Sequence, residues 1–249
     1  MVVGSGMVAR AFAAFQVDPA ILIFASGVSN SSTATEADHR REHDLLDSQP
    51  LLGRRLVYFS TCSIYDPSLT NSPYIRHKRA MEDHVKACTP DHTIFRLPNL
   101  VGHTPNPHTL CNFLRDRIQA NEPVHLQTRA CRYLMDIDAV ALACGHMIRN
   151  GAFWGQTVNV CIDPSAPLPQ LLQEMERILG RTAHRLEEER GACYEVENAS
   201  FKQFWTMEMG LPWPTGQHWQ RVLAKYYAPR PAAGGPWPGA TADRPEGNL

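Results

Sequence analysis

The sequence predicts an α/β fold: a parallel sheet with helices on both faces and a smaller C-terminal lobe. Three observations carry it. Apolar strand-like runs alternate with helix-like runs from the first residues onward, the pattern that builds a parallel sheet. The run AILIFA at residues 20–25 is apolar throughout, as strands covered on both faces are. A glycine turn, Gly4-Ser5-Gly6-Met7-Val8-Ala9, joins the first short strand to the first helix.

At 249 residues the chain can bury one large core, or one core plus a small lobe. Hydrophobic content of 43% and charged content of 20% place it among globular chains. A net charge of -1 supplies no bulk attraction for nucleic acid or anionic membrane. No apolar run reaches bilayer-spanning length. The first residues are cut by Gly4 and Gly6 and lack a basic leader, so they do not read as a signal peptide. The seven cysteines are scattered and form no C-x-x-C. They predict reduced thiols in a cytoplasm, not a disulfide framework or a zinc site.

The elements follow in order. Residues 1–3 form a short strand, and residues 10–15 a helix. The glycines between permit a tight turn and close approach of a pyrophosphate to a helix N-terminus. A plain glycine turn would look the same. Residues 20–25 form the second strand, whose polar exit at residues 26–32 would line a cofactor cleft. Residues 35–48 form a charged helix. His39 and His43 stand four apart on it, but no third ligand is near in sequence. They predict a solvated helix face and no metal. Residues 92–97 form a strand, 110–119 a helix, and 131–147 a short strand running into a helix capped by Asp138. Residues 157–160 form a last strand. Residues 167–179 form an amphipathic helix closed by Gly180. Trp205, Trp213 and Trp219 mark a small packed lobe. From residue 228 Pro, Gly and Ala predict a disordered tail. No internal repeat is present.

Residues 56–85 concentrate the chemistry. The apolar Leu56-Val57-Tyr58-Phe59 leads into Ser60-Thr61-Cys62-Ser63, then a turn, then a helical run with Tyr74 and Lys78. Residues four apart share a helix face. A lysine ammonium near a phenol favours its ionised form, which suits proton exchange at a carbinol oxygen during hydride transfer. Thr61, ending the strand, could hold the same oxygen. An ordinary amphipathic helix with a surface Tyr and Lys gives the same spacing, so the surroundings decide.

Those surroundings resemble the extended short-chain dehydrogenase/reductases, in the NAD-dependent epimerase/dehydratase group that acts on nucleotide sugars. The resemblance runs from Val2 to about Gly180. It rests on the glycine turn, the strand at 20–29, the Phe59–Tyr65 segment, the Tyr74/Lys78 helix and Arg96-Leu97-Pro98-Asn99-Leu100-Val101-Gly102, in the family's order. Residues 132–140 add an Arg, an apolar strand and Asp-Val.

The resemblance implies a Rossmann-like doubly wound sheet at 1–160, with a substrate-loop insertion at about 103–131. A substrate lobe follows at 161–227 and the tail at 228–249. It implies NAD or NADP as cofactor, held by Gly4, Ser5, Gly6, Met7, Val8, Ala25, Ser26, Gly27, Ser60, Tyr74, Lys78, Leu97 and Asn99. Tyr74 becomes the catalytic acid/base, Lys78 the ribose ligand and Thr61 the catalytic hydroxyl. Ser29, Cys62, Ser63, Asn99 and Arg132 become substrate contacts, with Arg132 gripping a nucleotide diphosphate. A structural ion pair with a nearby acid, or a solvated arginine, would also explain Arg132. The family also implies a homodimer paired through the helices at 35–48 and 74–86.

This chain departs from the family in several places. The strand–helix–strand unit that normally follows the glycine turn is missing, and with it the acidic ribose ligand. Val3 stands for the usual first glycine and Ala9 for the last. The loop between Thr61 and Tyr74 is short. Three readings result: an NAD(P)-dependent oxidoreductase or epimerase on a nucleotide-linked sugar, a reductase of a non-nucleotide carbonyl, and a non-catalytic binding protein with a degenerate cofactor site.

Overall fold

The computed structural model describes residues 1–27 and 35–229. In chain order the first half holds β1 (Val2–Val3), α1 (Met7–Ala11), β2 (Ile21–Phe24), α2 (Glu36–Asp47), β3 (Arg55–Thr61), α3 (Pro73–Cys88), β4 (His92–Leu97), β5 (Asn99–Val101) and α4 (Leu110–Ala120). The second half holds β6 (Pro123–Gln127), β7 (Cys131–Arg132), β8 (Leu134–Asp136), α5 (Ile137–Arg149), β9 (Gln156–Asn159), β10 (Ala166–Pro167), α6 (Leu168–Leu179), β11 (His184–Glu188), α7 (Ala199–Gln203) and α8 (His218–Tyr227).

The central sheet is five-stranded and parallel, in the order β1-β2-β3-β4-β9. Alternation along its strands gives it two apolar faces. Leu22, Phe24, Leu56, Tyr58 and Ile94 pack with Leu46 of α2 and with Met81 and Val85 of α3. Ile21, Ile23, Val57, Phe59 and Phe95 pack with Phe12 and Phe15 after α1 and with Val140 and Met147 of α5. This is the expected α/β sheet covered on both sides.

The strand order has a consequence for handedness. β1, β2, β3 and β4 follow one another across the sheet, yet α1 covers one face while α2 and α3 cover the other. The β1–α1–β2 crossover therefore turns with the opposite hand to the next two. Crossovers of one right hand are the strong rule. The exception falls where the strand–helix–strand unit is missing. With that unit absent, β1 is the edge strand.

Local sequence sets the helix starts. Thr35 and Asp38 form a capping box at α2, with Thr35 Oγ1 accepting from the Asp38 N–H at 3.2 Å. Ser72 caps α3 ahead of Pro73, accepting from the Ile75 N–H at 3.2 Å. Asp136, not Asp138, caps α5: its carboxylate accepts from the Asp138 N–H at 3.0 Å. Of two acids two residues apart, the earlier one takes the cap. Gly180 closes α6 at φ +63°, as expected.

A second core gathers Leu114 and Ile118 of α4, Val124 and Leu126 of β6, Leu171, Leu172 and Met175 of α6, and Trp219 and Leu223 of α8. Residues from the 103–131 segment and from beyond 161 thus share one core. The three tryptophans do not: Trp205 and Trp213 pack on the main sheet, and only Trp219 joins the second core. The cysteine reading also needs correction. Cys131 and Cys193 are disulfide-bonded, with Cα atoms 4.6 Å apart. The backbones run side by side here, the Cys131 N–H donating to Ala192 O at 3.1 Å. No sequence spacing announces a pair 62 residues apart. Cys62, Cys88, Cys111, Cys144 and Cys161 are free thiols. No helix among the described residues is long and apolar enough to cross a membrane. Of the expected tail, residues 230–249 lie outside the described residues.

Candidate active site

The glycine turn stands at the carboxyl edge of the sheet. Gly4 has φ +127°, and a Cβ there would lie 2.4 Å from Ala25 O, so the turn presses on the exit of β2. Gly6 differs: its φ is -71°, which any residue adopts. Among the described residues, a Cβ at Gly6 would meet nothing within 4 Å. No side chain caps α1, so its first N–H groups stay available. Ser5 O accepts from Arg10 Nη1 at 2.9 Å. Met7 reaches across to Gly102, where a Cβ would stand 2.7 Å from its Sδ. Val8 is half-buried, as are Ala25, Ser26 and Gly27. Ser29 lies outside the described residues.

Thr61 ends β3 opposite Leu97 of β4. Its Oγ1 accepts from the Ser63 N–H at 3.1 Å, turning the chain into the 3-10 helix Cys62–Tyr65. That leaves the hydroxyl proton free to donate. Tyr74 sits in the first turn of α3, half-buried, and its hydroxyl has no hydrogen-bond partner among the described residues. Ser63 touches the Tyr194 hydroxyl. Cys62 lies wholly in the core, where burial and the neighbouring Cys161 push its thiol well up. Ser60 donates to Glu82 Oε1 at 2.5 Å beneath the sheet surface.

Lys78 is where the structure departs furthest from the expected arrangement. Its ammonium lies 3.0 Å from Glu42 Oε1 and 3.0 Å from the Tyr58 hydroxyl. Tyr58 donates to the same Glu42 oxygen at 2.7 Å, and His77 Nε2 is 2.9 Å from Glu42 Oε2. The Glu42 side chain is 0% exposed and that of Lys78 4%. Burial, then the Glu42 charge, raises the Tyr58 phenol well above its usual range. Gly27 closes the cluster: a Cβ there would stand 2.7 Å from Lys78 Nζ. The fold thus joins Lys78 to α2 and β3, one turn below Tyr74 but bonded elsewhere. Glu42 is hidden in the sequence because the helix at 35–48 reads as solvated, and Tyr58 because it stands in the apolar run of β3. One signal was present: Glu42 stands four residues before Leu46, on the face that Leu46 buries.

Arg132 is tied as well. Its Nη1 donates to Asp66 Oδ2 at 3.2 Å and to Cys131 O at 2.8 Å, while Nη2 lies 3.5 Å from Gln127 Oε1. The Asp66 side chain is buried. Asn99 donates through Nδ2 to Tyr133 O at 3.2 Å. Nor do His39 and His43 lie on a bare solvated face. They stack on His77 and His84 of α3, with ring centroids 4.0 and 3.9 Å apart.

A parallel sheet with a glycine turn, a strand-end hydroxyl and a helix-borne tyrosine at its carboxyl edge defines a Rossmann-like dinucleotide-binding architecture. The sequence profile of the NAD dependent epimerase/dehydratase family matches residues 4–161. The chain belongs to that family. A search of curated proteins returned no match. Among solved structures it is similar to the dTDP-glucose 4,6-dehydratase DesIV of Streptomyces venezuelae with NAD and TYD bound, at 13% identity and TM-score 0.68, covering 90% of this chain and 77% of that one. It is also similar to the UDP-glucose 4-epimerase of Thermus thermophilus in complex with NAD, at 18% identity, TM-score 0.65, 88% and 80% covered. RMD from Pseudomonas aeruginosa, complexed with NADPH, matches at 15% identity, TM-score 0.64, 91% and 96% covered. At these identities the likeness shows the fold.

Proposed function

We propose that the chain is an NAD(P)-dependent oxidoreductase or epimerase acting on a nucleotide-linked sugar, with Tyr74 as the acid/base. The observation that carries this is the Tyr74 hydroxyl on α3, without a hydrogen-bond partner among the described residues and in the family's order after Thr61 and the open Gly6 turn at the sheet's carboxyl edge. The residues fit a dinucleotide on its pyrophosphate and nicotinamide side. Gly6 leaves space, and the uncapped α1 leaves N–H donors. On the adenosine side β1 is an edge strand, so that end of the site is reduced. A bound nicotinamide supplies the hydride chemistry. Thr61 donates to the sugar oxygen, and Tyr74 gives or takes its proton. Lys78 reaches the ribose only by exchanging Glu42 for it. Without that exchange it anchors α3 behind Tyr74. The second core serves as the substrate lobe, built from both 103–131 and 161–227.

Two observations favour the other readings. The engaged Lys78 favours a non-catalytic binding protein. Arg132, paired with Asp66, favours a carbonyl substrate without a nucleotide. The family comparisons support the sugar reading, since the similar structures include enzymes named for dTDP- and UDP-linked sugars. The test is single-turnover reduction beside dinucleotide titration. Tyr74→Phe should abolish turnover and leave cofactor affinity nearly intact, because it removes only the transferable proton. Full activity in Tyr74→Phe would remove it from the mechanism. Cytoplasmic location, a homodimer and a place in polysaccharide biosynthesis belong to the same proposal.

A further inference from the structure

We propose that His43, Asp47, His84 and Cys88 form a divalent-metal site of the zinc class between α2 and α3. His43 and Asp47 stand four apart on α2, and His84 and Cys88 four apart on α3. Each pair therefore shares one helix face, and the fold sets the two faces against each other. His84 Nε2 lies 2.6 Å from Asp47 Oδ1, and His43 Nδ1 lies 3.2 Å from Asp47 Oδ2. Cys88 Sγ lies 3.5 Å from His84 Nε2. One ligand atom from each of His43, Asp47 and His84 falls within 4.8 Å of the others. Ligands about 2.0–2.3 Å from a tetrahedral zinc stand roughly 3.3–3.8 Å from one another. The His84–Asp47 and His43–Asp47 distances are shorter than this, so small side-chain rotations that part them admit the ion. The way in is open, since the His43 and Asp47 side chains are 45% and 47% exposed.

The donor set selects the ion. Two imidazoles, a carboxylate and a thiol suit zinc and its neighbours, whereas magnesium and calcium take oxygen. Burial and the Asp47 charge hold the Cys88 thiol above its usual range. As the sulfur–metal bond forms, the thiol proton leaves to solvent. The stacked pair one turn away does not share this chemistry. The carboxylate facing His77 is Glu42, already engaged by Lys78 and Tyr58.

The test uses tag-free full-length protein stripped of metal with a chelator. Titration calorimetry with Zn²⁺ should show one equivalent bound, with Kd below about 10 μM, and a rise in Tm. Co²⁺ should give tetrahedral visible bands and a near-ultraviolet thiolate band. Cys88→Ser should lose the thiolate band while still binding Co²⁺. His84→Ala and Asp47→Asn should weaken Zn²⁺ by at least about tenfold. Asp47→Asn keeps the side chain's shape, and circular dichroism of the metal-free variants confirms that they fold. A wild type that binds no Zn²⁺ at about 100 μM would overturn the site, as would folded variants that bind it as tightly. A Co²⁺ spectrum without the thiolate band in wild type would remove Cys88 from it.

Discussion

Glu42 and Lys78 are both out of water and face each other at 3.0 Å. Removing one partner of a buried pair leaves an uncompensated charge and costs about 3–5 kcal/mol. Glu42→Ala should therefore lower the unfolding free energy by about that much. A Glu42→Ala/Lys78→Met double variant should recover most of it. Urea unfolding of wild type, Glu42→Ala, Lys78→Met and the double variant measures both effects, and additive losses would show that the pair is uncoupled. At this scale the sequence made half of the cluster legible. Tyr74 and Lys78 announce themselves by a spacing of four, and Thr61 by its place after an apolar run. What Lys78 bonds to was not legible, because a buried carboxylate and a solvated one look alike within a charged helix. Arg132 was legible as a cation near the cleft. Its Asp66 partner lies 66 positions away, and only the fold brings them together.

The docking of α8 makes a prediction about pH. Lys225 of α8 reaches Asp136 at 2.6 Å and Asp138 at 2.7 Å, at the start of α5. The hydrogen bond from Lys225 holds the Asp138 carboxyl below its usual 3.8. Burial works against the Lys225 charge, but the bonds to Asp136 and Asp138 outweigh it and hold the ammonium above its usual 10.5. A depressed acid contributes stability above its unfolded value and loses it as pH falls through the folded one. A raised lysine contributes below its unfolded value and loses it as pH rises through the folded one. The clasp thus holds between roughly pH 4 and roughly pH 10.5 and weakens outside that window. Trp219, buried on α8, reports it. The emission component that Trp219→Phe removes should stay constant inside the window and shift to the red outside it. In Lys225→Ala, which lacks the clasp at every pH, that component should already be red-shifted at neutral pH and lose this pH dependence. An identical pH profile in Lys225→Ala would dissociate the clasp from docking. Elements themselves were largely legible: the strand at 92–97 and the helix ending at Gly180 follow from apolar period and capping residues. The cap of α5 was misplaced by two residues, because Asp136 and Asp138 offer the same chemistry.

As a whole, the molecule is built on a five-stranded parallel sheet. β1 stands at the edge, and its crossover runs against the hand of its neighbours. Both follow from a unit whose loss was visible in the sequence. The handedness was not visible, since no residue pattern encodes it. The proposed homodimer would pair α2 and α3 with their copies about a two-fold axis, the commonest closed symmetry. Sedimentation at micromolar protein should show a dimer, and a monomer at every concentration would exclude that pairing. The central claim is that the open carboxyl edge still receives a dinucleotide. Gly6 tests it most directly, because its backbone tolerates any residue and its Cβ direction meets none of the described residues. Gly6→Val should change folding stability by no more than about 0.5 kcal/mol while filling the space where a pyrophosphate would lie. The measurement is a titration of wild type and Gly6→Val with NADH and NADPH, followed by nicotinamide fluorescence. The account predicts binding of at least one dinucleotide below about 1 mM by wild type, and a loss of at least about tenfold in Gly6→Val, near 1.4 kcal/mol. Wild type that binds neither dinucleotide, or a folded Gly6→Val that binds as well as wild type, would contradict it.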